Sequence, residues 1–293
     1  MILALGGSNI DILARSFKPL ELKASNPGVV YVTHGGVMRN IVEDLCLLGQ
    51  RPVFLTGLGE DDLGKAIEAR LEKVGARVFA YRKPGLMTGT YCAIAGPDGD
   101  MSAAVCDNQI GEAIPLDFVQ HHIGNLPGDI NIFLDANVST KLIAGLARAN
   151  PGKRLFAEAV SPDKVQRFSR ELDRLFFLKC AVREARALCG TAAASPMEMV
   201  IMLLKKGIAN VAITDGKNGV FYGDDHGTGH LPAVEPVNEV NATGCGDALF
   251  AGTAMLLAES HNLVTAVGFG LRCAAVAIAS ESPVNPDLAG LSL

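Results

Sequence analysis

Short apolar runs alternate with longer stretches of helical period along most of this chain. The runs Ile2 to Leu5, Pro52 to Thr56, Ile130 to Leu134, Arg154 to Ala157, Leu175 to Leu178 and Val211 to Thr214 read as strands, since each is brief, dominated by apolar side chains and followed by a change of pattern. Apolar positions at helical spacing predict helices over Val37 to Leu48, Leu63 to Val74, Thr140 to Ala149, Pro162 to Arg174, Pro196 to Lys206, Ala248 to Ala258 and Leu263 to Ala279. Strands that alternate with helices predict an α/β fold, a doubly wound and mostly parallel sheet with helices on both faces. No linker or repeat divides residues 1–293, so one domain is expected.

One region departs from the alternation. Thr88 to Ala95 and Met101 to Cys106 are extended runs joined by Gly96-Pro97-Asp98-Gly99-Asp100, a hairpin signal with no helix after it. Together with part of Gly28 to Thr33 they make either a small sheet standing off the main layer or a simple edge hairpin, and the pattern alone does not separate the two.

The chemistry concentrates in Asn241-Ala242-Thr243-Gly244-Cys245-Gly246-Asp247, which opens the apolar run Ala248 to Ala258. Gly244 and Gly246 let backbone approach a ligand, and a helix that starts there aims free N–H groups and its positive dipole end at negative charge. Asp247, in the first turn, is then placed to act as general base, while the amides of Gly244, Cys245 and Gly246 hold charge developing on a transferred group. The combination points to phosphoryl transfer. The plainer alternative is a Gly-rich loop capped by Asp, as short glycine motifs also arise by chance.

Composition narrows the partners. A net charge of −5 without basic runs argues against a nucleic-acid surface, which needs clustered Lys and Arg; a free nucleoside remains admissible as substrate. The start Met1-Ile2-Leu3-Ala4-Leu5 has no basic segment before it and breaks at Gly6, so it reads as a buried strand and not a signal peptide. Val264 to Ala279 is interrupted by Gly268, Gly270 and Arg272 and is shorter than the roughly 20 apolar residues of a membrane span. A cytoplasmic protein with no membrane partner is expected. Seven cysteines with no C-x-x-C pair predict reduced thiols and no zinc site, and the six histidines show no metal-ligand spacing. Cys245 reads as a bystander thiol, with a helix N-terminus lowering its pKa as the minority reading.

The 241–247 stretch resembles the D-T-x-G-A-G-D signature of the PfkB, or ribokinase, family of carbohydrate kinases. Gly35-Gly36 followed by Asn40, Gly49 and Gly59 is similar to that family's N-terminal signature, Gly57 to Gly64 to its G-x-G-x-D-x-x-G turn, and Thr214-Asp215-Gly216-Lys217-Asn218-Gly219 to its nucleotide-side T-x-G-x-x-G segment. Ser8 to Asp11, Ser25 to Gly28, Gly35 to Val37, Arg39 to Ile41 and Asn285 to Leu288 resemble the members that phosphorylate pseudouridine. The resemblance implies a ribokinase-like fold whose small sheet is a lid and often a homodimer surface, with ATP and Mg2+ as cofactors. It assigns ribose hydroxyl binding to Gly36 and Asn40, and Asp11, after the first strand, is read as a second sugar ligand or, alternatively, a turn residue. It places Thr214, Gly216 and Gly219 against the nucleotide, where an ordinary hairpin turn would look the same. It gives Glu184 a part in ordering magnesium, against a solvated helix charge. The reaction implied is transfer to a ribosyl 5′-hydroxyl, of pseudouridine first, with ribose, an ordinary nucleoside, or a catalytically impaired nucleoside-binding relative as alternatives. Six residues depart from the family pattern. Ala181 stands where its N-x-x-E motif has Asn, Glu158-Ala159 where relatives have Asp-Pro, Met38 and Val42 where small residues are usual, and Asn241 where Asp is usual.

Overall fold

A computed structural model describes residues Met1–Leu293. Its strands are β1 (Ile2–Gly6), β2 (Asn9–Ser16), β3 (Gly28–Gly35), β4 (Val53–Gly57), β5 (Arg77–Tyr81), β6 (Gly89–Ala95), β7 (Met101–Asp107), β8 (Asn131–Asp135), β9 (Leu155–Glu158), β10 (Leu175–Ala181), β11 (Asn210–Thr214), β12 (Val220–Asp224) and β13 (Gly227–Leu231). Its helices are α1 (Val37–Leu47), α2 (Asp62–Val74), α3 (Gln109–Glu112), α4 (Leu116–Gly124), α5 (Thr140–Ala149), α6 (Pro162–Val165), α7 (Val182–Cys189), α8 (Pro196–Lys205), α9 (Cys245–Ala258) and α10 (Leu263–Ala277). Nine strands form one sheet in the order β13-β12-β11-β10-β9-β8-β1-β4-β5, and four form a second in the order β3-β2-β6-β7. The large sheet is parallel from β11 to β5, with β12 and β13 antiparallel at one edge. This is the doubly wound α/β architecture that the strand and helix alternation predicts.

Parallel strands covered on both faces are apolar throughout, and alternate side chains feed opposite cores. Ile2 and Ala4 of β1 enter a core with α1, α9 and α10, while Leu3 and Leu5 enter another with α5, α7 and α8. In the first core Phe133, Phe156 and Phe177 of β8, β9 and β10 lie in one row, and Phe250 of α9 packs on it at centroid distances of 5.7 Å from Phe133 and 5.8 Å from Phe177. That contact fixes where the N-terminus of α9 stands over the sheet.

Three differences from the sequence pattern have physical reasons. Pro162 to Arg174 is not one helix: α6 gives way to single 3-10 turns at Gln166–Phe168 and Leu172–Arg174. Those tighter turns keep Val165, Phe168 and Leu172 buried while the Arg167 guanidinium donates to the carbonyls of Ala136, Asn137 and Val138. Asn9–Ser16, not predicted as a strand, is one because it pairs with both β3 and β6 to hold the second sheet together. Asp11 therefore sits inside β2, opposite Thr33 and Tyr91, and not in a turn after β1. Arg77–Tyr81 likewise becomes an edge strand through pairing with β4. No helix is long and apolar enough to cross a membrane.

The α9–α10 contact is close enough to test. A Cβ on Gly270 would stand 2.1 Å from Thr253 Oγ1 and 2.6 Å from the Leu249 carbonyl oxygen. Alanine exceeds glycine in intrinsic helix propensity by about 1 kcal/mol, but overpacking costs about 1–3 kcal/mol and should win. Gly270→Ala is therefore expected to lower the unfolding free energy by up to about 2 kcal/mol in urea titration; a stabilised variant would show that the two helices are not so close.

Candidate active site

The site lies at the carboxyl ends of the parallel strands, the edge where open α/β sheets bind ligands. Two positions beyond the phenylalanine row, Asp135, Glu158 and Lys179 stand side by side on β8, β9 and β10 and face the same way. Asp247, one helical turn before Phe250, is set above them at the start of α9.

Asp135 is fully buried, and its carboxylate accepts from the backbone N–H of Gly7, Met38 and Asn137 and from Asn137 Nδ2. Burial raises its pKa, with those donors pulling the other way. Lys179 and Glu158 form a buried pair, Nζ to Oε1 3.1 Å, while Glu158 Oε2 has no partner. Burial pushes Glu158 up to about 7 against the opposing pull of Lys179. Burial alone would lower Lys179, but Glu158, Asp247 and Glu184 outweigh it and hold the ammonium charged. The Lys179 ammonium also reaches the glycine loop, since a Cβ on Gly246 would stand 2.8 Å from Nζ. Val160, two residues past Glu158, adopts φ 67°, a strained conformation for a β-branched residue, and its N–H turns toward Glu158 Oε1.

The loop before α9 is shaped by Gly244, which adopts φ 85° as N-cap and would press any Cβ to 1.9 Å from the Pro283 carbonyl oxygen. No side chain caps this helix; the Cys245 N–H donates to the Ala242 carbonyl at 3.3 Å, which leaves the Gly246 and Asp247 amides open to an anion. Asp247 Oδ2 accepts from Asn40 Nδ2 at 2.8 Å. Burial raises Asp247 to about 6, opposed by Asn40 and Lys179 and reinforced by Asp135. The Cys245 thiol is pushed up to about 11 by burial and by Asp247, so the helix N-terminus does not activate it; the bystander reading stands.

Gly36 starts α1 with φ 102°, where a Cβ would lie 2.6 Å from the Gly7 carbonyl oxygen. Asp11 accepts from Asn9 Nδ2 and, through burial, has a raised pKa. Asn40, Asp247 and the Gly244–Gly246 loop are thus brought together, with the Arg39 charge felt by both Asp11 and Asp247. Thr214 pairs with Ala181 at the end of β11, and Gly216 to Gly219 turn the chain into antiparallel β12. These residues form a hairpin connection at the same edge of the sheet. Glu184 is buried, not solvated: its Oε2 accepts from the Ala181 N–H and caps α7. No group of three or more His, Cys, Asp or Glu side chains is arranged to hold a metal ion.

Sequence reasoning missed Asp135, Lys179 and Arg39. A signal for the first two is present, because each is the lone charge of an apolar strand, Asp135 closing β8 and Lys179 two residues before the end of β10.

A fold and site of this kind, with an uncapped helix N-terminus, a carboxylate in its first turn and a buried lysine beneath it, define a phosphotransferase. The profile of the pfkB family carbohydrate kinases matches residues 1–289, and the chain belongs to that family. Pseudouridine kinase of Escherichia coli (strain K12) is 28% identical over 291 residues, 98% of this chain and 93% of that protein. Guanosine-inosine kinase of Exiguobacterium acetylicum is 24% identical, covering 98% of this chain and 97% of that one. The structure of Arabidopsis thaliana ribokinase complexed with ribose and ATP matches in fold with a TM-score of 0.83 over 99% of both chains, at 17% identity.

The charge of Asp247 carries a stability cost. The unfolded carboxyl ionises near 3.9 and the folded one near 6, so the folded state loses stability as pH rises between them and keeps the full penalty above. Asp247→Asn removes it, and is expected to raise unfolding free energy at pH 8 by up to about 3 kcal/mol with little effect at pH 3. Urea titrations at the two pH values check this; an equal effect at both would exclude a buried charge.

Proposed function

We propose that the protein is an ATP-dependent kinase of a ribosyl 5′-hydroxyl, with pseudouridine as its expected substrate. The observation that carries the chemistry is the placement of Asp247, held by Asn40 at the open N-terminus of α9 with Lys179 beneath the glycine loop. Asp247, when ionised, takes the proton of the attacking hydroxyl. The amides of Gly244, Cys245 and Gly246 and the Lys179 ammonium stabilise charge on the group transferred. Asp11, Gly36 and Asn40 form the sugar side, and Thr214, Gly216 and Gly219 the nucleotide side.

The open amides and the lysine suit nucleotide phosphates. Magnesium is commonly held by one or two carboxylates, water and substrate phosphates, so the lack of a three-ligand cluster fits it. Glu184, whose second oxygen takes no hydrogen bond, is its expected carboxylate, acting through water. The ion would supply neutralisation of phosphate charge. Support for a nucleoside comes from the likeness to two proteins named as nucleoside kinases. The alternative of a binding protein with impaired catalysis rests on Ala181, which offers no polar side chain beside Glu184, and on Glu158 and Met38, which replace the usual residues. Turnover with magnesium-ATP and pseudouridine, uridine, adenosine, ribose or fructose 6-phosphate decides among these readings.

A second copy is the expected partner of the small sheet, which we read as a lid. Register places Val32, Ile12, Cys92 and Val105 in one cross-strand row and Val30, Ala14, Ile94 and Ala103 in the next, with no charge in either. Val30 and Val32 are each 61% exposed and Val105 73%, and an uncharged apolar patch of that kind marks an interface.

Asp247→Asn is expected to lower kcat at least about 10²-fold, the lower range for general acid–base catalysis, while leaving sugar binding intact. Asp11→Ala should instead raise KM; wild-type kcat in the first variant, or wild-type KM in the second, removes that residue from its role. Sedimentation velocity should show a wild-type dimer and a monomeric, folded Val32→Asp/Val105→Asp variant, and a monomeric wild type would exclude pairing through the lid.

A further inference from the structure

We propose that Arg39 is a positioning residue, which locks the carboxamide of Asn40 in the one orientation that aims an N–H donor at Asp247; the role is catalytic only if Asp247 is the base of the kinase reading above. A carboxamide has two orientations of nearly the same shape, one with its oxygen and one with its nitrogen toward a given neighbour. Arg39 Nη1 donates to Asn40 Oδ1 at 2.9 Å, and Asn40 Nδ2 donates to Asp247 Oδ2 at 2.8 Å. Arginine has five donors and no acceptor, and an ionised carboxylate only accepts. Reversing the amide would therefore set N–H against N–H on one side and oxygen against oxygen on the other.

Arg39 is itself held in place. Nη1 also donates to the His34 carbonyl oxygen, Nη2 pairs with Glu43, and the other Glu43 oxygen accepts from Nε and Nη2 of Arg70 on α2. Arg39, Asn40 and Glu43 are 4%, 5% and 1% exposed. The chain of contacts thus runs from α2 through α1 to the first turn of α9. Arg39 Nε has no partner, and because removing one member of a buried ion pair is itself destabilising, a positioning role is separated from a structural one by the Asp247 titration and not by stability. Glu43 keeps Arg70 when Arg39 is changed, which protects the fold of the variant.

The groups facing Asp247 are Asn40, Arg39 and Asp44 from α1, Asp135 from β8, Glu158 from β9, Lys179 from β10 and Cys245 from its own helix. Three carboxyl groups, Asp44, Asp135 and Glu158, stand against the two cations Arg39 and Lys179 in this set, so a correctly turned Asn40 donor matters for keeping the base ionised near neutral pH.

The test is a carbon-13 carboxyl NMR titration of Asp247 in the full chain without substrate, assigned with Asp247→Asn, for wild type, Arg39→Met, Asn40→Ala and the double variant. Arg39→Met should raise the Asp247 midpoint by about one pH unit, the worth of one hydrogen bond to a charged group. In the Asn40→Ala background the same change should move it less than half as far. Equal shifts in both backgrounds would mean that Arg39 acts by distant charge alone, and no shift with only a lower Tm would leave it a structural residue; either overturns the proposal. In wild type, the side-chain NH2 signals of Asn40 should follow the Asp247 titration, a readout that needs no variant to fold, and signals that ignore it overturn the proposal as well. If kcat/KM is measurable, its acidic limb should move with the midpoint. Absence of turnover on every sugar and nucleoside would defeat the kinase reading and leave the titration result standing.

Discussion

The carboxylate of Asp135 is the contact on which the site end of the molecule is built. It draws the N–H of Gly7 at the end of β1, of Met38 in the first turn of α1 and of Asn137 after β8 onto one pair of oxygens. Burying such a group costs several kcal/mol unless donors surround it, and four N–H groups do so here. With that node in place, α1 enters at a fixed angle, Asn40 faces α9, and Phe250 on the phenylalanine row sets the height of Asp247.

The same node creates an electrostatic problem that shapes the rest of the site. Asp135, Glu158 and Asp247 crowd together, and Asp44 is fully buried with both oxygens unpartnered; that burial, reinforced by the Asp247 charge, raises its pKa well above the ordinary value. Lys179 lies among these acids and under the glycine loop. The Asp247 carboxyl, poised near 6, is a compromise between the burial that raises it and the donors that hold it down.

Much of the fold was legible because parallel strands covered on both faces read as plain apolar runs and amphipathic helices repeat at 3.6 residues. The loop before α9 was legible because its shape rests on backbone geometry, which glycine spacing advertises. β2 and β5 were not, because polar or mixed segments become strands only when a partner edge satisfies their backbone. Pro162 to Arg174 misled because periodicity reports which side chains are buried and not how tightly the backbone turns between them.

Within the site, the local sequence by itself determined the glycine turns, the start of α9 and the presence of Asp247 in its first turn, since each depends on residues a few positions apart. Family resemblance added roles for Asp11, Gly36, Asn40, Thr214, Gly216, Gly219 and Glu184. Only the tertiary structure decided that Asn40 donates to Asp247, 207 positions away in sequence, that Lys179 lies beneath Gly246, and that burial lifts the Cys245 thiol instead of activating it. Burial, hydrogen-bond partners and pKa are properties of neighbours in space, and in a sheet whose adjacent strands are far apart in sequence those neighbours exist only once the chain has folded.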